Sequence, residues 1–146
     1  MNGFDQAKGI ADLKATVAVA RKLPGGNGRV GTMGYCLGGR LAVMMAEQSD
    51  ADINISYYGV RLDELLDKLG QVAHPLVIHI ADKDEFFPNE GRAKVVAATK
   101  GQKHIATYVY PNANHAFARM GGVHWNGRAA MIANGRSAEA LVAALG

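Results

Sequence analysis

Residues 75–82, Pro-Leu-Val-Ile-His-Ile-Ala-Asp, form a continuous apolar run broken only by a histidine. A run of this kind reads as a strand covered on both faces, and such strands belong to parallel sheets with helices above and below. Three more β-rich segments share the chain: "RVGTMGY" (29–35), "INISYYG" (53–59) and "ATYVYP" (106–111). Helical segments lie between and around them. Residues 5–22 carry Ile10, Leu13, Val17 and Ala20 three or four apart, opened by Asp5 as a cap. Residues 37–48 place Leu41, Met44 and Met45 on one side, where they read as core. A short helix over 62–70 ends at Gly70, and another runs from a capping Asn89 to Gly101. The last helix, 126–145, is weakened by Gly135. The loops fall at 24–28 and 119–127. This alternation predicts an α/β fold with a parallel sheet of about four strands flanked by helices.

The 146 residues suffice for a single domain with its own core. The net charge of +3 is scattered, with no Lys/Arg block, so nucleic acid is not an expected partner. The N-terminal segment is interrupted by Asp5, Lys8, Asp12 and Lys14, and no apolar run approaches the ~18 residues of a membrane span. A cytoplasmic setting, away from membranes, is the expectation. His74, His79, His104 and His124 fit no metal-ligand spacing, so neither a metal nor another cofactor is expected; His79, inside the apolar strand, reads as a core histidine.

In parallel sheets the reactive groups gather at the carboxyl ends of the strands. Those ends collect the lone cysteine, Cys36, the carboxylates Asp82 and Asp84, and His115. Cys36 lies in "GYCLGG", with Gly34 two residues before it and Gly38 two after. A sharp strand-to-helix turn lifts one residue to an exposed tip in a strained backbone, and glycines at those offsets let strand and helix pass closely. The turn also puts Cys36 at a helix N-terminus, where thiolate is favoured, and leaves the Leu37 N–H free to donate to an oxyanion. Free cysteines are commonly inert buried side chains; the glycine spacing argues against that here. A phosphate loop is disfavoured, because Arg40 stands where Lys and then Ser or Thr are needed.

"GYCLGG" resembles the nucleophile turn of the dienelactone hydrolase family, α/β-hydrolases that use cysteine where most relatives use serine. "HIADKDEFFP" resembles that family's acid segment, which maps the triad acid onto Asp84 rather than Asp82. "YPNANHAFAR" resembles its histidine segment and maps the base onto His115. "YYG" at 57–59 and the helix opening "GRAAM" are also similar. The order Cys36, Asp84, His115 is the nucleophile–acid–histidine order of α/β-hydrolases. The resemblance covers the later part of the family fold. It implies that the strands before the turn are lacking, together with a second oxyanion donor and a substrate-binding arginine, and that the strand before Cys36 has an unpaired edge.

The resemblance thus implies hydrolysis of a small ester or lactone through Cys36, His115 and Asp84 by way of a thioester. Tyr35, Tyr58, Phe86 and Phe117, with Phe87 and Trp125, are candidates to line an apolar substrate pocket, or simply core and rim aromatics. Arg119 is a candidate to face an anionic substrate, or a solvated side chain. The alternative is a truncated, inactive hydrolase-like module that dimerises or binds a partner through the open edge. A redox-sensor role needs a resolving thiol from another chain.

Overall fold

The computed structural model describes residues 3–146. Helix α1 (Gln6–Ala20) starts where the Asp5 carboxylate accepts the Lys8 N–H, satisfying one of the four orphan donors of a helix start. Strand β1 (Gly31–Tyr35) leads into α2 (Leu37–Gln48), then β2 (Ile53–Tyr57). A 3-10 helix over Leu62–Gln71 precedes β3 (Leu76–Ala81), α3 (Asn89–Thr99), β4 (Ile105–Tyr110) and α4 (Gly127–Leu145). The four strands form one parallel sheet in the order β1-β2-β3-β4. The α/β architecture expected from the alternation is therefore present, with strand ends shifted by a residue or two.

Helices cover both faces. The alternation along β3 sends Val77 and Ala81 to the α4 side, with Ile53, Ile55, Tyr57, Phe117 and Ala133, and sends Leu76, Ile78 and Ile80 to the side of α2, α3 and the 3-10 helix. Every residue of β2 and β3 is buried, as the unbroken apolar run requires. Helix α1 lies outside α2 and packs Ile10 and Val17 against Met45 and Ala51.

Two local expectations are corrected. Residues 62–71 are a 3-10 helix with Gly70 inside it, not an α-helix stopped by Gly70. Asn89 is the first residue of α3 rather than its cap; the extended Pro88 holds the cap position with no capping hydrogen bond, because its ring carries no acceptor. Among the described residues no helix is long and apolar enough to cross a membrane.

His79 is a core histidine, as expected. Its Nδ1 lies 2.8 Å from the Tyr110 hydroxyl and its Nε2 2.9 Å from that of Ser137 on α4. Burial, and then the Arg136 guanidinium, lower its pKa to about 4, so the ring is neutral. The Tyr57 hydroxyl joins the same network, donating to Asn134 Oδ1 at 2.9 Å and lying 2.7 Å from Ser137 Oγ. These bonds fasten α4 to the middle of the sheet.

Candidate active site

The register of the sheet aligns Tyr35 with Tyr57, Tyr57 with His79, and His79 with Tyr108. The carboxyl ends of all four strands thus meet at one rim. Cys36 stands there between β1 and α2 with φ 56° and ψ −117°. For a residue with a side chain that conformation costs about 1–3 kcal/mol. It is held because the Cys36 N–H donates to Tyr57 O at 3.0 Å while its carbonyl accepts the Arg40 N–H, the first bond of α2.

The glycines around Cys36 divide the work differently from the expectation. A Cβ on Gly34 would lie 1.9 Å from Gly38 O, so this position needs glycine for the strand to pass the helix. A Cβ on Gly39 would lie 2.7 Å from Tyr57 O. A Cβ on Gly38 meets nothing within 4 Å. Gly34 and Gly39, not Gly34 and Gly38, are the two close approaches. Leu37 opens α2, where the first N–H groups have no partner inside the helix.

The acid loop follows β3. Both oxygens of Asp84 reach His115 Nδ1, Oδ1 at 3.0 Å and Oδ2 at 2.9 Å, and Oδ1 also accepts the Phe86 N–H. The Asp84 side chain is 1% exposed. With a carboxylate at Nδ1, that nitrogen carries the ring proton, and in the neutral ring Nε2 is left as an acceptor. The His115 carbonyl in turn accepts a hydrogen bond from His124 Nδ1 at 3.2 Å. Two backbone bonds tie the acid loop to the strand and loop before His115: Asp82 N–H to Tyr110 O and Lys83 N–H to Ala113 O.

Cys36 and His115 line one cavity of about 470 Å³, together with Tyr35, Tyr58, Ala116, Ala118 and Arg119. Tyr58 meets the His115 ring edge-on, 5.2 Å between centroids, and Phe86 does so at 4.9 Å. Burial, then Tyr35, Tyr57 and Cys36 nearby, push the Tyr58 phenol above its ordinary pKa, so it keeps its proton. Phe86 is 60% exposed and lies beside His115 without lining the cavity. Phe117 is corrected: it is 0% exposed, packed among Tyr57, Tyr58 and Tyr110, and serves the core rather than the pocket. Phe87 is likewise buried, and Trp125 does not line this cavity.

The strained backbone expected at Cys36 is present, but sequence reasoning missed that Tyr58 and Ala116, also cavity-lining, have positive φ without being glycine. Such strain gathers where a site over-determines its backbone. Only the residue in the glycine-flanked turn carried a sequence signal for it. Among the described residues no group of three or more His, Cys, Asp or Glu side chains could hold a metal ion.

Residues 2–145 match the family model of the dienelactone hydrolase family. The chain is 46% identical over 148 residues to an Azospirillum brasilense protein that carries the carboxymethylenebutenolidase name, covering 94% of this chain and 59% of that one. It is 36% identical over 138 residues to the carboxymethylenebutenolidase of Pseudomonas putida, covering 94% and 58%. A solved Klebsiella pneumoniae structure of the dienelactone hydrolase type superimposes with a TM-score of 0.84 at 21% identity, over 94% of this chain and 61% of that one, which speaks for the fold alone. The chain spans about three fifths of the length of these curated relatives.

Proposed function

Because the chain belongs to the dienelactone hydrolase family, we propose that it hydrolyses a small carboxylic ester or lactone with Cys36, His115 and Asp84 as nucleophile, base and acid. The observation that carries this reading is the two-oxygen contact of Asp84 with His115 Nδ1, beside a cavity that His115 shares with Cys36.

His115 Nε2 accepts the Cys36 proton as the sulfur attacks the acyl carbon. The carbonyl oxygen becomes an oxyanion, and the Leu37 N–H donates to it; one such donor is typically worth ~2.7–4 kcal/mol. The intermediate collapses: the carbon–oxygen bond breaks, His115 returns its proton to the departing alkoxide, and a thioester remains on Cys36. Water then attacks, giving a proton to His115. The carbon–sulfur bond breaks, the carboxylic acid leaves and the thiol is restored. Asp84 holds the tautomer and supports the imidazolium between these transfers. A lactone alkoxide stays tethered and can close the ring again, so prompt protonation by His115 sets the forward yield. Tyr35 and Tyr58 supply apolar walls, and exposed Arg119 at the cavity gives a cation for a carboxylate-bearing substrate. The partner is thus a small molecule.

Hydrolysis of an aryl ester and of a dienelactone by the purified protein tests this. Cys36→Ala and His115→Ala are each expected to lower kcat/KM by at least about a thousandfold. Equal rates in the three proteins overturn the proposal.

One observation favours a second role for the molecule. Among the described residues β1 pairs only with β2, so its other side offers free N–H and C=O groups. A second copy of the chain aligned on that edge continues the sheet. This is the route to an assembled dimer whether or not the site is active.

A further inference from the structure

We propose that Arg92 is the positioning residue for the acid of this site, acting through the backbone of the loop that carries Asp84; the inference rests on the hydrolase reading above. Arg92 sits in the first turn of α3 and does not line the cavity. Its side chain turns back across the loop. Nη2 donates to Asp82 O at 2.6 Å, and Nη1 donates to Asp84 O at 3.0 Å and to Phe87 O. Nη2 also lies 3.5 Å from Asn89 Oδ1.

Three peptide carbonyls from six residues therefore converge on one guanidinium. Carbonyl oxygens aimed at one point repel each other and cannot bond to one another; a cation with N–H groups in a fixed planar fork resolves both problems. The carbonyls belong to the residue two before Asp84, to Asp84 itself and to the residue three after it. The guanidinium therefore sets the path of the chain on both sides of the acid. Phe87, buried in the core, anchors the far end; a Cβ on Gly91 would lie 2.7 Å from its ring, so α3 sits hard against the loop. The near end is tied to β4 and the loop after it through the Asp82 and Lys83 N–H groups. Between these anchors, among the described residues, Arg92 is the one side chain that bonds the carbonyls of both Asp82 and Asp84. Without it those carbonyls rotate toward water, and the Asp84 carboxylate loses its two-oxygen alignment on Nδ1.

The test compares Arg92→Gln and Arg92→Lys with wild type and with Asp84→Asn, after circular dichroism has established that each is folded. For Arg92→Gln the expected result is a fall in kcat of about tenfold to a hundredfold, the scale of a small misplacement of a catalytic group. KM stays within about twofold, because no cavity residue changes. Arg92→Lys restores part of the rate, since an ammonium keeps the charge but not the fork. A purely structural role lowers thermal stability and leaves kcat of the folded protein within twofold of wild type. A folded Arg92→Gln protein with kcat within twofold of wild type overturns the proposal while Asp84→Asn remains impaired. Should Arg92→Gln not fold, Arg92→Lys is read alone: a threefold or larger fall in kcat is expected, and an unchanged kcat overturns it. If Asp84→Asn is as active as wild type, the hydrolase reading falls and takes this inference with it.

Discussion

A single methyl group separates two glycines of the turn at Cys36. On Gly34 it would enter the backbone of α2, whereas on Gly38 it would enter open space. Gly34→Ala is therefore expected to cost at least about 3 kcal/mol or to prevent folding. Gly38→Ala, in the first turn of a helix, is expected to be neutral or to stabilise by up to about 1 kcal/mol. Urea denaturation of both variants checks the contrast; a similar loss in both overturns the division of roles.

Two buried titratable groups act on stability in opposite senses. Burial raises Glu47 to about 7, with Lys68 and Arg40 pulling it back, and neither of its oxygens has a hydrogen-bond partner. In the unfolded chain this carboxyl ionises near 4.5, so its contribution is full below that pH and is lost as pH rises toward 7. His79 is lowered to about 4, so the unfolded chain takes up a proton first as pH falls below about 6.5, and stability drops toward pH 4. Between about pH 4.5 and 6.5 the two slopes cancel. Glu47→Gln removes one of them. It is expected to stabilise the protein at pH 8 by about 2–3 kcal/mol and to expose a rise in stability from pH 4 to 6.5, read by urea denaturation across pH. A variant that is no more stable at pH 8 overturns this account.

At the scale of elements, what the sequence revealed was what lies close in the chain. The turn at Cys36 was legible because glycine spacing is local, and β3 because six consecutive buried residues leave no amphipathic period. The 3-10 helix was not. "LDELLDKLG" places apolar residues at spacings that suit either helix, and only packing against α2 and α3 selects the tighter one. The fastening of α4 was also invisible, since Ser137 bonds to His79, 58 residues away, and to Tyr57, 80 residues away. Arg92 gave no signal because its partners are carbonyls, which every residue carries. Ser137→Ala leaves a buried imidazole nitrogen without its hydroxyl partner. It is expected to cost about 1–3 kcal/mol in thermal or urea unfolding; a loss under about 0.5 kcal/mol counts against the network as a fastener. Phe117 was misplaced for a related reason: its neighbour His115 faces the cavity, while positive φ at Ala116 turns the chain so that Phe117 faces the core.

At the scale of the whole molecule, β1 is both an edge of the sheet, with β4 the other, and the strand that delivers Cys36. Met33 and Tyr35 on it are 41% and 48% exposed. Pairing of two copies along this edge is expected to give a dimer by light scattering, which Met33→Lys, a charge on the edge, shifts toward monomer. A wild-type protein that stays monomeric at all accessible concentrations rules out the second copy as the edge's occupant.

The backbone stitches between the acid loop and the segment before the histidine bear on how such a molecule can move. With the peptide groups of Asp82 and Lys83 clasped to Tyr110 and Ala113, the loops that carry carboxylate and imidazole are fastened to each other by their backbones as well as by their side chains. The turn that carries Cys36 has no such direct stitch to either loop; its N–H bonds instead to Tyr57 O at the end of β2. The backbone clasps therefore constrain the contact between Asp84 and His115 directly, and the gap between sulfur and ring only by way of the strands between them.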